Sequence, residues 1–232
     1  IKADRERAKK TIKDINHLNA CYNKEFEKAV DDITEELEAK GIRLLHETEL
    51  NEEQQLFIRR LYLEKLNGST NPIWLSQVKE IGATGDDGIF LAIKRMEWHE
   101  DKKKPKVDYA LIAMPDKELG RFVRLPKSDG MENIMYLDDV IRYCLPMIFI
   151  GEGKATYEAY SFKFTKDAEM EMDNDLNSGV MQKVAKGVKS RKSGEPIRVI
   201  YDDSMPKELL KRIMSRLNID TLDTIVSGGR YQ

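Results

Sequence analysis

Cysteine and histidine are scarce in this 232-residue chain: Cys21 and Cys144 are the only cysteines, and His17, His46 and His99 the only histidines. Two cysteines build no disulfide framework and lack the paired spacing of a zinc site, which suits a reducing, cytoplasmic location. None of the histidines has a second metal ligand at helical spacing, so zinc hydrolysis has no support and no metal site is assigned. The Gly-x-Ser-x-Gly elbow of serine hydrolases is missing as well. So are long hydrophobic runs. A stretch such as Leu145 to Ile150 falls far short of a bilayer span, and the first residues are too charged for a signal peptide. Charge of one sign does not dominate either: 39 Lys and Arg face 41 Asp and Glu, for a formal net charge of -2. No global field therefore draws the chain to nucleic acid or anionic lipid, and any anion site has to be local.

What is present supports a folded core, with 41% hydrophobic and 34% charged residues in a length that fits one large domain or two small ones. Between residues 3 and 40 apolar side chains recur at Ile12, Ile15, Leu18, Tyr22, Phe26, Val30, Ile33 and Leu37, spacings that predict one long amphipathic helix. Gly41 ends it, and Asn51 with Gln54 forms the pattern of a capping box opening a second helix that ends near Asn67-Gly68. The stripe on the first helix has two possible partners: further helices of a helical domain, or the domain that follows. Beyond Pro72 the period changes. Strands are expected at Gly88 to Trp98, Val107 to Ala113, Arg121 to Leu125, Tyr160 to Thr165, Ile197 to Tyr201 and Thr224 to Val226. Helices are expected at Leu137 to Leu145, stopped by Pro146, at Val180 to Val188, and at Leu209 to Leu217. This mixture implies an α+β fold, a mixed sheet with helices packed on one face, preceded by the long N-terminal helix.

Candidate chemistry is sparse. The stretch Ile81 to Gly88 is glycine-rich but lacks the Gly-Lys-Ser/Thr ending of a P-loop and precedes a strand, so a turn is the better reading. Acidic pairs at Asp86-Asp87, Asp138-Asp139 and Asp202-Asp203 suit magnesium or, for the last two, helix capping, with capping preferred. The lysines at 102, 103, 104 and 106 read as a solvated hairpin tip rather than a phosphate site, and Lys183, Lys186, Lys189, Arg191 and Lys192 line one helix face and its exit. The alternating aromatics Tyr160, Phe162 and Phe164 read as core rather than as a base-stacking platform. At the chain end, Gly228-Gly229-Arg230 has the makings of an anion-binding loop, and equally of a severed junction.

Five motifs in order, RFVRLP (121 to 126), LDDVIRYCL (137 to 145), AYSFKFTKDAE (159 to 169), EPIRVIYDDSMP (195 to 206) and IVSGGRY (225 to 231), resemble the long, histidine-phosphorylated bacterial polyphosphate kinases. The resemblance runs over nearly the whole chain and is weakest from Asn71 to Ile89. It implies that residues 1 to 41 are the last helix of an N-terminal helical domain and residues 42 to 232 the head, or middle, domain, with C-terminal phospholipase D-like catalytic domains outside this sequence. The implied parent activity is reversible transfer of the terminal phosphate of ATP to polyphosphate through a phosphohistidine, with Mg2+. The nucleophilic histidine and the phosphate-binding arginines lie in those C-terminal domains, so no catalytic, cofactor-binding or metal residue is carried onto this chain and no bound cofactor is expected. Ser227 and Gln232 depart from the proline and histidine common in the family, which makes direct chemistry by either less expected. The resemblance further implies homodimer contacts through the head, with ATP, ADP and polyphosphate as substrates of the parent enzyme. Direct binding of polyphosphate or nucleotide through the lysine runs and Arg230 is the alternative.

Overall fold

Strand β3 (Gly88–Trp98) alternates Phe90 and Ala92 with Leu91 and Ile93, and all four are fully buried. A strand buried on both faces belongs in the middle of a covered sheet. In the computed structural model, which describes residues 2–78, 88–100, 103–150, 154–166, 196–217 and 225–231, β3 is indeed central. It pairs antiparallel with β4 (Lys106–Ala113) and β7 (Lys154–Lys166). The sheet continues outward through the short β2 (Ile73–Trp74) on one side. On the other, β8 (Pro196–Asp202) and then β9 (Ile225–Gly228) follow, the last pair parallel, for six strands in the order β2-β4-β3-β7-β8-β9.

One face of this sheet packs on helix α5 (Lys207–Arg216), through Phe90, Leu111, Phe162 and Phe164 against Leu209 and Ile213. The other packs on helix α4 (Leu137–Ile148) and α2 (Glu52–Leu61), through Leu91, Ile93 and Ile112 against Ile58, Ile141 and Cys144. Helices therefore cover both faces, not one. Burial of the Cys144 thiol pushes its pKa up to about 12, so it is an unreactive core residue. Helix α2 opens on the expected Asn51/Gln54 capping box and runs on into one π-helical turn, Tyr62–Leu66, closed by the Asn67 N–H on the Tyr62 carbonyl at 2.9 Å.

A second, three-stranded sheet was not anticipated. In it β1 (Ile42–Leu45) lies parallel to β6 (Met131–Tyr136), which pairs antiparallel with β5 (Phe122–Ser128). Asp129 and Gly130 turn the β5-β6 hairpin with φ of 53° and 74°, and left-handed conformations at both central residues are what an Asp-Gly hairpin turn supplies. A short helix α3 (Asp116–Leu119) bridges the sheets. Helix α4 does not stop at Pro146. The proline sits in the last turn, where its missing N–H deprives only the Arg142 carbonyl, and the helix closes with the Phe149 N–H on the Leu145 carbonyl at 2.9 Å.

The long helix α1 (Lys2–Ala39) is present and ends at Gly41, whose φ is 84°. Its apolar residues divide between two faces. Ile12, Val30 and Leu37 are half-buried, while Ile15, Leu18, Tyr22, Phe26 and Ile33 are exposed, Tyr22 and Phe26 at 67%. The helix meets the body through polar groups at β9, where the Asn23 amide donates to the Ser227 carbonyl at 2.9 Å. Among the described residues no helix is long and apolar enough to cross a membrane. The expected helix at 180–188, the glycine-rich stretch 81–87 and Lys102 lie outside the described residues.

Candidate functional site

The most densely connected polar cluster gathers where the two sheets meet, and α4 is its base. Leu137, Val140, Ile141 and Cys144 of that helix are buried, which fixes its rotation and turns Asp139 and Arg142, an i,i+3 pair, toward β7 and the chain end. Arg142 Nη1 donates to Asp139 Oδ1 at 2.7 Å, Nη2 to Ser161 Oγ at 3.0 Å and Nε to the Ala159 carbonyl at 3.3 Å. Ser161 is fully buried on the face of β7 opposite Phe162. A small hydroxyl there leaves room for the guanidinium that an aromatic at the same register would exclude.

Into this base fits the segment after β9. The Arg230 carbonyl accepts hydrogen bonds from Ser161 Oγ and, at 3.4 Å, from Arg142 Nη2. Arg230 Nη2 donates to both carboxylate oxygens of Glu47, at 2.6 and 2.7 Å, and to Asp139 Oδ1 at 3.0 Å. The Tyr231 hydroxyl donates to Asp139 Oδ2 at 2.6 Å, and its ring stacks on Tyr136 with centroids 4.0 Å apart. His46 Nδ1 lies 2.8 Å from the Tyr231 oxygen and 3.2 Å from Asp139 Oδ2. Glu47 and His46 directly follow β1, so the small sheet supplies one wall of the site.

The electrostatics follow from that geometry. Burial pushes the Asp139 carboxyl up, but the Tyr231 hydroxyl and the Arg142 and Arg230 charges outweigh it and hold the group below the ordinary carboxylate range. Burial and the Asp139 partner drive the Tyr231 phenol upward, so it stays a donor. Arg230 is raised despite burial, by Glu47 and Asp139. Asp139, Glu47, Arg142, Arg230 and Tyr231 each bond to another of these residues at the centre.

His46, Glu47 and Asp139 have ligand atoms within 4.8 Å of one another, a spacing a metal ion can use. The Arg230 guanidinium bonds to two of the three, and a histidine beside two guanidinium-bound carboxylates does not fit the oxygen-only, substrate-phosphate chemistry of Mg2+. A cavity of about 410 Å³ opens beside the cluster, lined by Arg142, Glu158, Tyr160 and Asp202 among others. Its polar walls are also engaged: Glu158 by Lys94 and Tyr160, and Asp202 by Ser204.

The structure thus brings together Asp139, His46 and Arg230, which lie far apart in the sequence. The other candidates stay apart. His17 is exposed on α1, His99 lies at the end of β3 3.8 Å from Glu97, and Lys103 and Lys104 are exposed. Neither acidic pair caps its helix. Asp138 and Asp139 are buried in the first turn of α4 with Tyr136 at the cap, and Asp202 accepts from the Ser204 N–H ahead of α5, whose cap is Pro206. Asp86-Asp87 and Lys183 to Lys192 lie outside the described residues. The roles of Glu47, Arg142, Ser161 and Tyr231 were not foreseen; RYCL, AYSF and SGGRY hold three of them, but nothing within those motifs tells which residues meet.

The fold and site define an α+β module that holds the segment after β9 where its two sheets meet. The chain belongs to the polyphosphate kinase family: the model of the polyphosphate kinase middle domain matches residues 53–232. It is 29% identical over 215 residues to the polyphosphate kinase of Vibrio parahaemolyticus, covering 90% of this chain and 30% of that protein. Against the Yersinia pestis polyphosphate kinase it is 28% identical over 226 residues, covering 95% and 32%. The crystal structure of a polyphosphate kinase from Porphyromonas gingivalis superposes with a TM-score of 0.73 at 25% identity, over 99% of this chain and 32% of that one. The chain spans about a third of the length of these relatives.

Proposed function

We propose that this chain is the non-catalytic head of a polyphosphate kinase, the parent enzyme reversibly transferring the terminal phosphate of ATP to polyphosphate through a phosphohistidine, with Mg2+ supplied alongside ATP. Residues 42–232 form the head in this reading and residues 1–41 the last helix of a preceding helical domain; the pairing of β1 with β6 supports starting the head at residue 42. The head contributes homodimer contacts and acts in the cytoplasm. One observation carries the non-catalytic assignment: in the best-connected polar cluster, Asp139, Arg142, Glu47 and Arg230 are spent on holding the chain itself. A reactive centre needs a nucleophile with an activating neighbour and room for the reacting atoms.

The alternative, direct binding of polyphosphate or nucleotide, loses Arg230 as a free cation, because Glu47 and Asp139 take it. The test is incubation of the chain with γ-labelled ATP and Mg2+. No acid-stable or acid-labile protein phosphate is expected. Labelling at His17, His46 or His99 overturns the assignment. Light scattering checks the homodimer, and a strict monomer at high concentration removes that role.

A further inference from the structure

The stretch from Ser227, near the end of β9, to Tyr231 is gripped from two sides at once. On one side, Asp139 and Arg142 of α4, with Ser161 and Glu47, take Arg230 and Tyr231. On the other, α1 reaches the same segment: Asn23 Nδ2 donates to the Ser227 carbonyl at 2.9 Å, and a Cβ built on Gly229 comes 2.8 Å from Glu27 Oε1. At Gly229 such a Cβ meets only the outer atoms of the flexible Glu27 side chain, which places Glu27 of α1 directly against this residue. The long helix and the head core therefore meet on neighbouring residues of one stretch, 227 to 231, α1 at Ser227 and Gly229 and the core at Arg230 and Tyr231.

We propose that residues 227–231 are a mechanical coupler between α1 and the head, with Asp139 as the residue that positions it. Asp139 bonds the Arg230 guanidinium and the Tyr231 hydroxyl while tied to Arg142, whose Nη2 also donates to the Arg230 carbonyl, so both side chains are set by one carboxylate anchored on a buried helix. A change in the tilt of α1 pulls on Ser227 and Gly229, and Asp139 decides whether the segment yields or transmits it. Coupling of this kind is reciprocal: whatever loosens one grip loosens the other. The coupler rests on the non-catalytic reading of the cluster.

Hydrogen exchange of the whole chain, read by mass spectrometry, tests it with three variants: Asp139→Asn, Tyr231→Phe and Asn23→Ala. Asp139→Asn is expected to speed exchange in residues 225–231 about tenfold, the factor for losing roughly one charge-assisted hydrogen bond. It is also expected to speed exchange in residues 19–30 of α1, which Asp139 does not touch. Asn23→Ala is expected to do the converse, speeding exchange at 229–231. Tyr231→Phe removes one hydroxyl at the chain end and serves if Asp139→Asn fails to fold. Faster exchange confined to the mutated side in all folded variants overturns the coupler. The γ-ATP labelling experiment separates the two failures: labelled chain removes the non-catalytic reading, whereas silent α1 with unlabelled chain removes only the coupler.

Discussion

The two sides of the first turn of α4 hold neighbouring aspartates, Asp138 and Asp139, with side chains equally shut off from water, and treat them in opposite ways. On the junction side, Asp139 collects Arg142, Arg230 and the Tyr231 hydroxyl and is held below the ordinary carboxylate range. On the small-sheet side, Asp138 has Arg121 Nη2 3.2 Å from Oδ2 but no aligned hydrogen bond on either oxygen among the described residues, and burial pushes its pKa up. Burial is common to both. What differs is how many protons point at the carboxylate, and that decides which of the two is a working charge.

Removing the well-served carboxylate gives the largest expected effect. Asp139→Ala leaves Arg142 buried and Arg230 half-served, and loss of one partner from a buried pair costs about 3–5 kcal/mol. Urea denaturation followed by circular dichroism measures it. A cost under about 1 kcal/mol would mean that the cluster is ornament and that the comparison with Asp138 has no energetic content.

Acid titration separates the two residues by sign. Asp139 has a depressed folded pKa, so its stabilisation is present above the unfolded value of about 3.9 and is lost as pH falls through the folded value. Asp138 has a raised folded pKa, so its contribution is present below about 3.9 and is lost as pH rises through the raised value. The parent chain is therefore expected to lose stability steeply below about pH 4, and Asp139→Ala to lose less over the same range. Parallel pH profiles for the two proteins would show that other carboxylates govern the acid limb.

A smaller effect comes from Tyr231→Phe, which removes one hydroxyl donor and leaves the ring stacked on Tyr136. One hydrogen bond to a charged group contributes about 1.5 kcal/mol, measured by the same denaturation. A null result would place Arg142 and Arg230 alone in charge of Asp139.

Much of this fold was legible because its signals are local. The stripe of α1, the Asn51/Gln54 box and the strands from Gly88 to Trp98 and from Val107 to Ala113 each carry their period within one segment. The small sheet was missed for two reasons. Its β1 is four residues long, too short to show a period, and the Asp129-Gly130 turn that announces the β5-β6 hairpin went unread. The site was legible only as motifs. LDDVIRYCL and IVSGGRY were both visible, but that Asp139 of one binds Arg230 and Tyr231 of the other is a contact across 91 and 92 positions. Helix dipole reasoning, sound for exposed first turns, misread Asp138 and Asp139 as caps because rotation of α4, set by its apolar face, turns both inward.

The smallest expected effect is the one that defines the contrast. Asp138→Asn keeps the shape of the side chain, removes a charge that burial already disfavours and supplies an amide able to meet Arg121 or its own backbone. Losing attraction to Arg121, a quarter exposed and thus reached by water, offsets part of that gain, so the net change is expected to stay within about 1 kcal/mol at neutral pH. Its sign should move with pH: relative to the parent, the variant gains as pH rises from about 4, where the parent's Asp138 begins to carry a charge that its surroundings do not serve. A cost as large as that of Asp139→Ala would mean that Arg121 and Asp138 form a second full ion-pair anchor, and that the two sides of α4 are alike after all.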